Sequence, residues 1–215
     1  MKSILCFGDS NTWGYNDLDA QDELPARFDI ATRWTGVASA SLGSEFRVIE
    51  EGLNGRTTVF EDPLWHYRAG KHYLVPCLDS HRPLDLVIVM LGTNDLKIRF
   101  SVSAVDISQG LELLIDLIQK SRSGPQGSSP KTLIVAPPPI GIFKDCDEPS
   151  WTGAQKKGAE LPRLYENVAC RYHCHFADSQ KIVTVEDLAA DGLHLSSPAH
   201  AKLGKFMADK IREIV

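Results

Sequence analysis

Ser10 stands in Gly8-Asp9-Ser10-Asn11, directly after the apolar run Ile4-Leu5-Cys6-Phe7. Far along the chain, Asp191-Gly192-Leu193-His194 places an Asp and a His three residues apart. A serine hydroxyl is a poor nucleophile at neutral pH. It needs an adjacent base, and the base needs a group that orients it. Ser10 as nucleophile, His194 as base through one ring nitrogen, and Asp191 accepting from the other nitrogen would meet that need. The set implies Ser-His-Asp chemistry on a carbonyl carbon, if the fold brings residues from opposite ends of the polypeptide together. Each member alone has a plainer reading. Ser10 could be a helix cap after a strand. Asp191-Gly192 could be a turn, with His194 exposed ahead of a helix.

The elements that must position these residues alternate strand and helix. Residues 3–7 read as a buried strand, 32–42 as a helix stopped by Gly43, and 46–50 as a second strand. Residues 70–80 read as helix, with Pro83 ending that region. Leu84 to Leu91 is apolar on both faces, as expected in the middle of a parallel sheet. Ile107, Leu111, Leu114, Ile115 and Ile118 fall at helical spacing within 106–119. Residues 131–136 form a fourth strand, 153–169 a helix, 175–178 a short fifth strand, and 198–214 a closing helix. Ser196 or Ser197 would cap that last helix, with Pro198 in its first turn. This order predicts an α/β protein. Its architecture would be a three-layer α/β/α sandwich around a flavodoxin-like, mainly parallel five-stranded sheet, with residues 1–215 forming one domain. Ligands of such sheets bind beyond the carboxyl ends of the strands, near the switch in strand order. Ser10 follows the first strand and Gly92-Thr93-Asn94-Asp95 the third, so both loops would face one crevice.

Bulk properties exclude several classes. A net charge of -5 with no Lys/Arg cluster leaves no electrostatic footprint for nucleic acid. No apolar run is long enough to cross a bilayer. The start, Met1-Lys2-Ser3-Ile4, enters a strand at once and lacks the apolar stretch and cleavage site of a secretory leader. Five cysteines, an odd number, argue against a disulfide framework, and reduced thiols fit a cytoplasmic protein. Cys170-Arg171-Tyr172-His173-Cys174-His175 invites a zinc reading, but its spacing matches no closed structural site. A helix end running into a strand is the expectation there. No metal and no cofactor are expected.

Four blocks together resemble a known family: Phe7-Gly8-Asp9-Ser10-Asn11-Thr12-Trp13-Gly14, Glu51-Gly52-Leu53-Asn54-Gly55-Arg56-Thr57-Thr58, Leu91-Gly92-Thr93-Asn94-Asp95, and Asp191-Gly192-Leu193-His194. The chain resembles the SGNH (GDSL-type) hydrolases, and within them the bacterial arylesterase/acyltransferase branch, over essentially its whole length. The resemblance implies a cofactor-free esterase acting on short-chain acyl esters, with acyl transfer to alcohols as a side reaction. It implies an oxyanion hole made by the backbone N–H of Ser10, the backbone N–H of Gly55 and the side-chain amide of Asn94. Gly55 has a rationale of its own, since a missing Cβ lets the backbone approach a substrate. Asn94 offers a donor that does not titrate. The branch also implies a homo-oligomer, in some members an octamer, whose contacts narrow the entrance.

Trp13 and Tyr15 would line a narrow pocket or pack in the core. Thr93 and Leu193, each next to a site residue, join them as candidate pocket residues. Asp9 and Asp95 read as turn-shaping residues. His66, His72, His81 and His200 match no motif and read as surface or packing residues. The 137–151 segment, opening with three prolines, is long enough to cover the crevice or to meet another subunit. The same triad would also serve a carbohydrate O-deacetylase, a thioesterase or a lysophospholipase. A more distant alternative is a non-catalytic flavodoxin-like protein that cradles a phosphate at Ser10-Asn11. No glycine-rich phosphate loop supports it, and the α/β-hydrolase elbow is excluded because Thr12 stands where glycine is required.

Overall fold

The computed structural model describes residues 1–17, 26–143 and 149–215. Five strands, β1 (Lys2–Gly8), β2 (Phe46–Gly52), β3 (Leu86–Met90), β4 (Lys131–Ala136) and β5 (His175–Asp178), lie in the order β2-β1-β3-β4-β5. Every adjacent pair is parallel. This is the expected flavodoxin-like sheet, and the order reverses between β1 and β3. Ser3 pairs with Arg47 on one side, and Ile4 with Leu86 on the other.

The period of two along β1 builds both cores. Leu5 and Phe7 point into a cluster with Val87 and Val89, covered by helices α3 (Gly70–His81), α4 (Ala104–Lys120) and α5 (Ala154–Tyr172). Ile4 and Cys6 point the other way, against Ile88 and Met90, under α2 (Trp34–Leu42) and α6 (Ser197–Ile214). All five residues of β3 are buried, which explains why its sequence shows no polar face. Each fully buried Leu or Ile contributes about 2 kcal/mol relative to exposure.

Helix boundaries differ from the expected ones by a few residues. α4 starts two residues before Asp106 because Ser103 and Asp106 form a reciprocal cap. The Asp106 carboxylate accepts from the Ser103 N–H at 2.8 Å, and the Ser103 hydroxyl accepts from the Asp106 N–H at 3.2 Å. α5 runs on to Tyr172, so Cys170 to His175 is the junction of α5 and β5. Ser196 caps α6. α2 has no cap from its own flank. Instead His200, buried on α6, accepts the Trp34 N–H through Nδ1 at 3.2 Å. Burial lowers the His200 pKa to about 4, and the nearby His194 ring and Arg33 guanidinium act in the same direction. Among the described residues no helix is long and apolar enough to cross a membrane.

Candidate active site

The first βα turn presents Ser10. β1 ends at Gly8, where a Cβ would lie 2.1 Å from the Thr12 hydroxyl oxygen. The chain then turns at Asp9 into a four-residue helix, α1 (Ser10–Trp13). The Asp9 carboxylate accepts the Asn11 N–H at 3.0 Å. Burial lifts the Asp9 pKa to about 6 against that hydrogen bond and the nearby His194 ring and Arg56 guanidinium. Gly14, at φ 88, closes the helix with its N–H on the Ser10 carbonyl at 2.8 Å. Ser10 itself is only 6% exposed.

The turn that carries His194 is organised by Asp191. One carboxylate oxygen accepts the N–H groups of Leu193 (2.9 Å) and His194 (3.0 Å). The other meets His194 Nδ1 at 2.5 Å. Burial pushes the Asp191 pKa up, but the imidazole and the two amides outweigh it, so the group lies below the usual carboxylate range. A carboxylate can only accept, so Nδ1 carries the ring proton and Nε2 turns a lone pair outward. That nitrogen lies 2.9 Å from Ser10 Oγ. Gly192 at φ 69 fits the turn against Ile142, whose carbonyl would touch any Cβ there.

Asn11 joins these two parts across 184 residues of sequence. Its Oδ1 accepts the buried N–H of Leu195 at 2.9 Å, and its Nδ2 approaches the Leu193 carbonyl at 3.5 Å. The Tyr15 ring lies 4.2 Å from the His194 ring, tilted by 30°. Tyr15 is therefore a wall of the His194 site. Trp13 is half-buried, with the Arg27 guanidinium 5.0 Å over its ring. Thr93 is buried, and Leu193 packs partly into the core under α4 and α5.

Two further loops meet the nucleophile turn. Gly55, at φ 77, lies after β2, and its absent Cβ makes room for the Trp65 ring: Cε3 would be 2.4 Å away. The missing side chain thus serves internal packing first, which changes the reason expected for it. Asn94 opens a 3₁₀ turn (Asn94–Leu96) after β3. Its Nδ2 donates to the Arg56 carbonyl at 3.1 Å. The Asp95 carboxylate accepts the Thr58 N–H at 2.9 Å and the Thr58 hydroxyl at 2.5 Å. Burial raises the Asp95 pKa to about 6 despite those bonds. Arg56, buried with its pKa lowered by desolvation to about 10, donates to the Gly8 carbonyl at 2.8 Å and also to that of Glu51. These contacts bring the carboxyl ends of β1, β2 and β3 to one place, as the switch in strand order requires.

Reasoning from the sequence missed Asn11, Arg56 and Lys97, whose roles are set by partners distant in the chain or across a turn too short for periodicity. Of the 137–151 segment, Gly141 packs against the His194 turn. The Gly141 N–H donates to the Gly192 carbonyl at 2.8 Å, and Gln155 Nε2 to the Gly141 carbonyl at 2.8 Å. Residues 144–148 lie outside the described residues. The described residues that could hold a metal are Glu51, Cys77 and His81, with donor atoms within 4.8 Å of one another. None of them belongs to the Ser10–His194–Asp191 set, and Glu51 and His81 are already paired at 2.8 Å.

Residues 6–202 match the model of the GDSL-like lipase/acylhydrolase family. An aryl esterase from Mycobacterium smegmatis is 37% identical, with each chain covered in full and a TM-score of 0.94. A carbohydrate acetylesterase from Sinorhizobium meliloti is likewise 37% identical over the whole of both chains, with a TM-score of 0.93. An acetylxylan esterase from Xylanibacter ruminicola is 26% identical over 97% of this chain. The match spans 43% of that relative's length.

Proposed function

Because the chain belongs to the GDSL-like lipase/acylhydrolase family and is a carboxylic ester hydrolase, we propose that Ser10, His194 and Asp191 form its catalytic triad. The observation that carries this is the continuous relay from Asp191 Oδ2 through both ring nitrogens to Ser10 Oγ, at 2.5 and 2.9 Å. Ser10 Oγ attacks the carbonyl carbon of a short-chain acyl ester while His194 Nε2 takes the hydroxyl proton. Asp191 holds the ring in the tautomer that accepts this proton and stabilises the imidazolium. The N–H groups of Ser10 and Gly55 and the Nδ2 of Asn94 receive the oxyanion. Collapse of the tetrahedral intermediate breaks the bond to the alkoxy or aryloxy oxygen, which takes the proton from His194 and leaves. Water then gives its proton to His194 and attacks the acyl-enzyme, releasing the acid and restoring Ser10. An alcohol in place of water yields a new ester. No step calls for a cofactor.

Short acyl groups are favoured because the nucleophile is so deeply set. Tyr15, Trp13, Thr93 and Leu193 remain the proposed pocket residues, with Tyr15 the one best supported by its contact with His194. Removal of acetyl groups from sugars is a second reading, supported by the carbohydrate acetylesterase and acetylxylan esterase relatives. A homo-oligomer, up to an octamer, is part of the proposal. The exposed side chains of Leu64, Trp65, Tyr67 and Ile98 support it by offering apolar surface for burial.

Replacing Ser10 by Ala tests the triad. Turnover of an aryl acetate should fall by about a thousandfold or more with the fold intact by circular dichroism, since triad members act as a unit. A fluorophosphonate should label the wild type and not the variant. A variant that keeps a tenth of the rate would remove Ser10 as nucleophile. A panel of acetyl, butyryl and octanoyl esters with acetylated sugars then separates the two substrate readings.

A further inference from the structure

Lys97 closes the 3₁₀ turn that Asn94 opens, and side chains three apart eclipse in such a turn. Its Nζ donates to Asn94 Oδ1 at 2.9 Å. On the other side of the amide, Nδ2 spends one hydrogen on the Arg56 carbonyl at 3.1 Å. The two bonds fix the orientation of the group. A flipped amide would set two donors against the ammonium and its oxygen against the Arg56 carbonyl. The second hydrogen of Nδ2 remains for a ligand.

Burying an ammonium is costly unless it is well partnered. Lys97 is only 8% exposed. Its Nζ lies 5.1 Å from the centre of the Trp151 ring and 5.7 Å from that of Trp65, the ring that also fills the space beside Gly55. Desolvation lowers its pKa to about 8, as does the positive charge of Arg99, while Asp62, Asp9 and Asp95 oppose the shift.

We propose that Lys97 is a positioning residue for ester hydrolysis: its ammonium locks and polarises the Asn94 amide so that Nδ2 donates more strongly to the developing oxyanion. The inference rests on the reading of Asn94 as an oxyanion donor. An ammonium on the amide oxygen draws electron density from nitrogen, and the N–H becomes a stronger donor at the stage when charge accumulates on the substrate. The benefit falls on kcat, because the ground-state carbonyl gains less from it than the oxyanion does.

The test is steady-state kinetics on p-nitrophenyl acetate between pH 6 and 9.5 for Lys97→Met, Asn94→Ala and the double variant, with thermal melts of each. Lys97→Met should lower kcat by about tenfold or more while KM changes by less than about threefold. In the Asn94→Ala background the same change should cost less than about twofold, because the amide it acts on is gone. The wild-type kcat should decline as pH rises through about 8, where the ammonium loses its proton, and Lys97→Met should lack that limb. If Lys97→Met does not fold, Lys97→Gln supplies the same comparisons. Losses that multiply independently in the double variant, or a Lys97 variant with wild-type kcat, would overturn the proposal. Either result, alongside an inactive Ser10→Ala, would leave the triad standing.

Discussion

Gly55→Ala probes whether the backbone N–H at this position must be held where it is. The residue sits at φ 77, a conformation that costs an L-residue about 1–2 kcal/mol. The new methyl would lie 2.4 Å from Trp65 Cε3 and 2.6 Å from Cζ3. Carbon atoms pack at about 3.5–4.0 Å, so the ring must retreat by roughly 1 Å or the peptide must rotate. Trp65 is half-exposed and can swing toward solvent, but its inner face also meets Lys97 and Arg68. If the peptide yields instead, the Gly55 N–H leaves the proposed oxyanion site, and losing one such donor costs about 3 kcal/mol, or roughly a hundredfold in kcat. We expect Gly55→Ala to lower kcat on an aryl acetate by about ten- to a hundredfold, with KM little changed. Adding Trp65→Ala removes the clash and should restore at least about fivefold of that loss, an interaction between neighbours that independent sites do not show. The reasoning is refuted if Gly55→Ala turns over at the wild-type rate. It also fails if the double variant is no faster than Gly55→Ala.

Two other perturbations follow from buried hydrogen bonds. Asn11→Ala leaves the Leu195 N–H buried without its acceptor, so urea unfolding should show a loss of about 1–3 kcal/mol, with kcat reduced as the His194 turn loosens; an unchanged midpoint would count against Asn11 as the tie. His200 ties stability to pH. Its pKa is about 4 in the fold against an ordinary 6.5, so its contribution is complete above pH 6.5 and is lost as pH falls toward 4, up to about 3 kcal/mol in all. Protonation would turn Nδ1 into a donor facing the Trp34 N–H. Asp9 and Asp95, both raised to about 6, act in the opposite sense: their contribution is present below pH 3.8 and lost as pH rises through 6. The difference between wild type and His200→Gln cancels those carboxylates. That difference should shrink by about 2–3 kcal/mol between pH 7 and 4.5; a constant gap would show that His200 does not titrate in this range.

Much of the fold was legible because local pattern and tertiary environment agree. Leu86 to Met90 is apolar at every position since both of its faces are covered, whereas the Ser103–Asp106 cap that starts α4 went unread and the helix was expected two residues late. Ser10, Asp191 and His194 were singled out because their residue types make chemical sense only together, and the fold brings them within hydrogen-bond distance. What escaped has a common cause. α1 has four residues and the Asn94–Leu96 turn three, too short for any periodicity to register. Asn11 acquires its role from an amide 184 residues away, and Lys97 from an eclipsed neighbour in a turn that spacing alone does not announce. At Gly55 the missing Cβ was expected to let the backbone approach a substrate, whereas the ring of Trp65 occupies the space a Cβ would take.

The arrangement of charge in the βα loops bears on the role proposed for Ser10. Asp9 and Asp95 are buried beside the two loops that present Ser10 and Asn94, yet their oxygens are engaged by the Asn11 N–H and by the Thr58 N–H and hydroxyl. They therefore shape the loops, and Asp191 is the carboxylate in hydrogen-bond contact with the imidazole. The desolvated cations Arg56 and Lys97 meet carbonyl oxygens of Gly8, Glu51 and Asn94 instead of carboxylates in hydrogen-bond reach. Each aligns a peptide or amide dipole at the carboxyl end of the sheet. In the proposed mechanism, a carboxylate on the base side and oriented dipoles on the oxyanion side form a field set before substrate arrives, so little reorganisation is left for the moment when charge moves from Ser10 Oγ to the carbonyl oxygen.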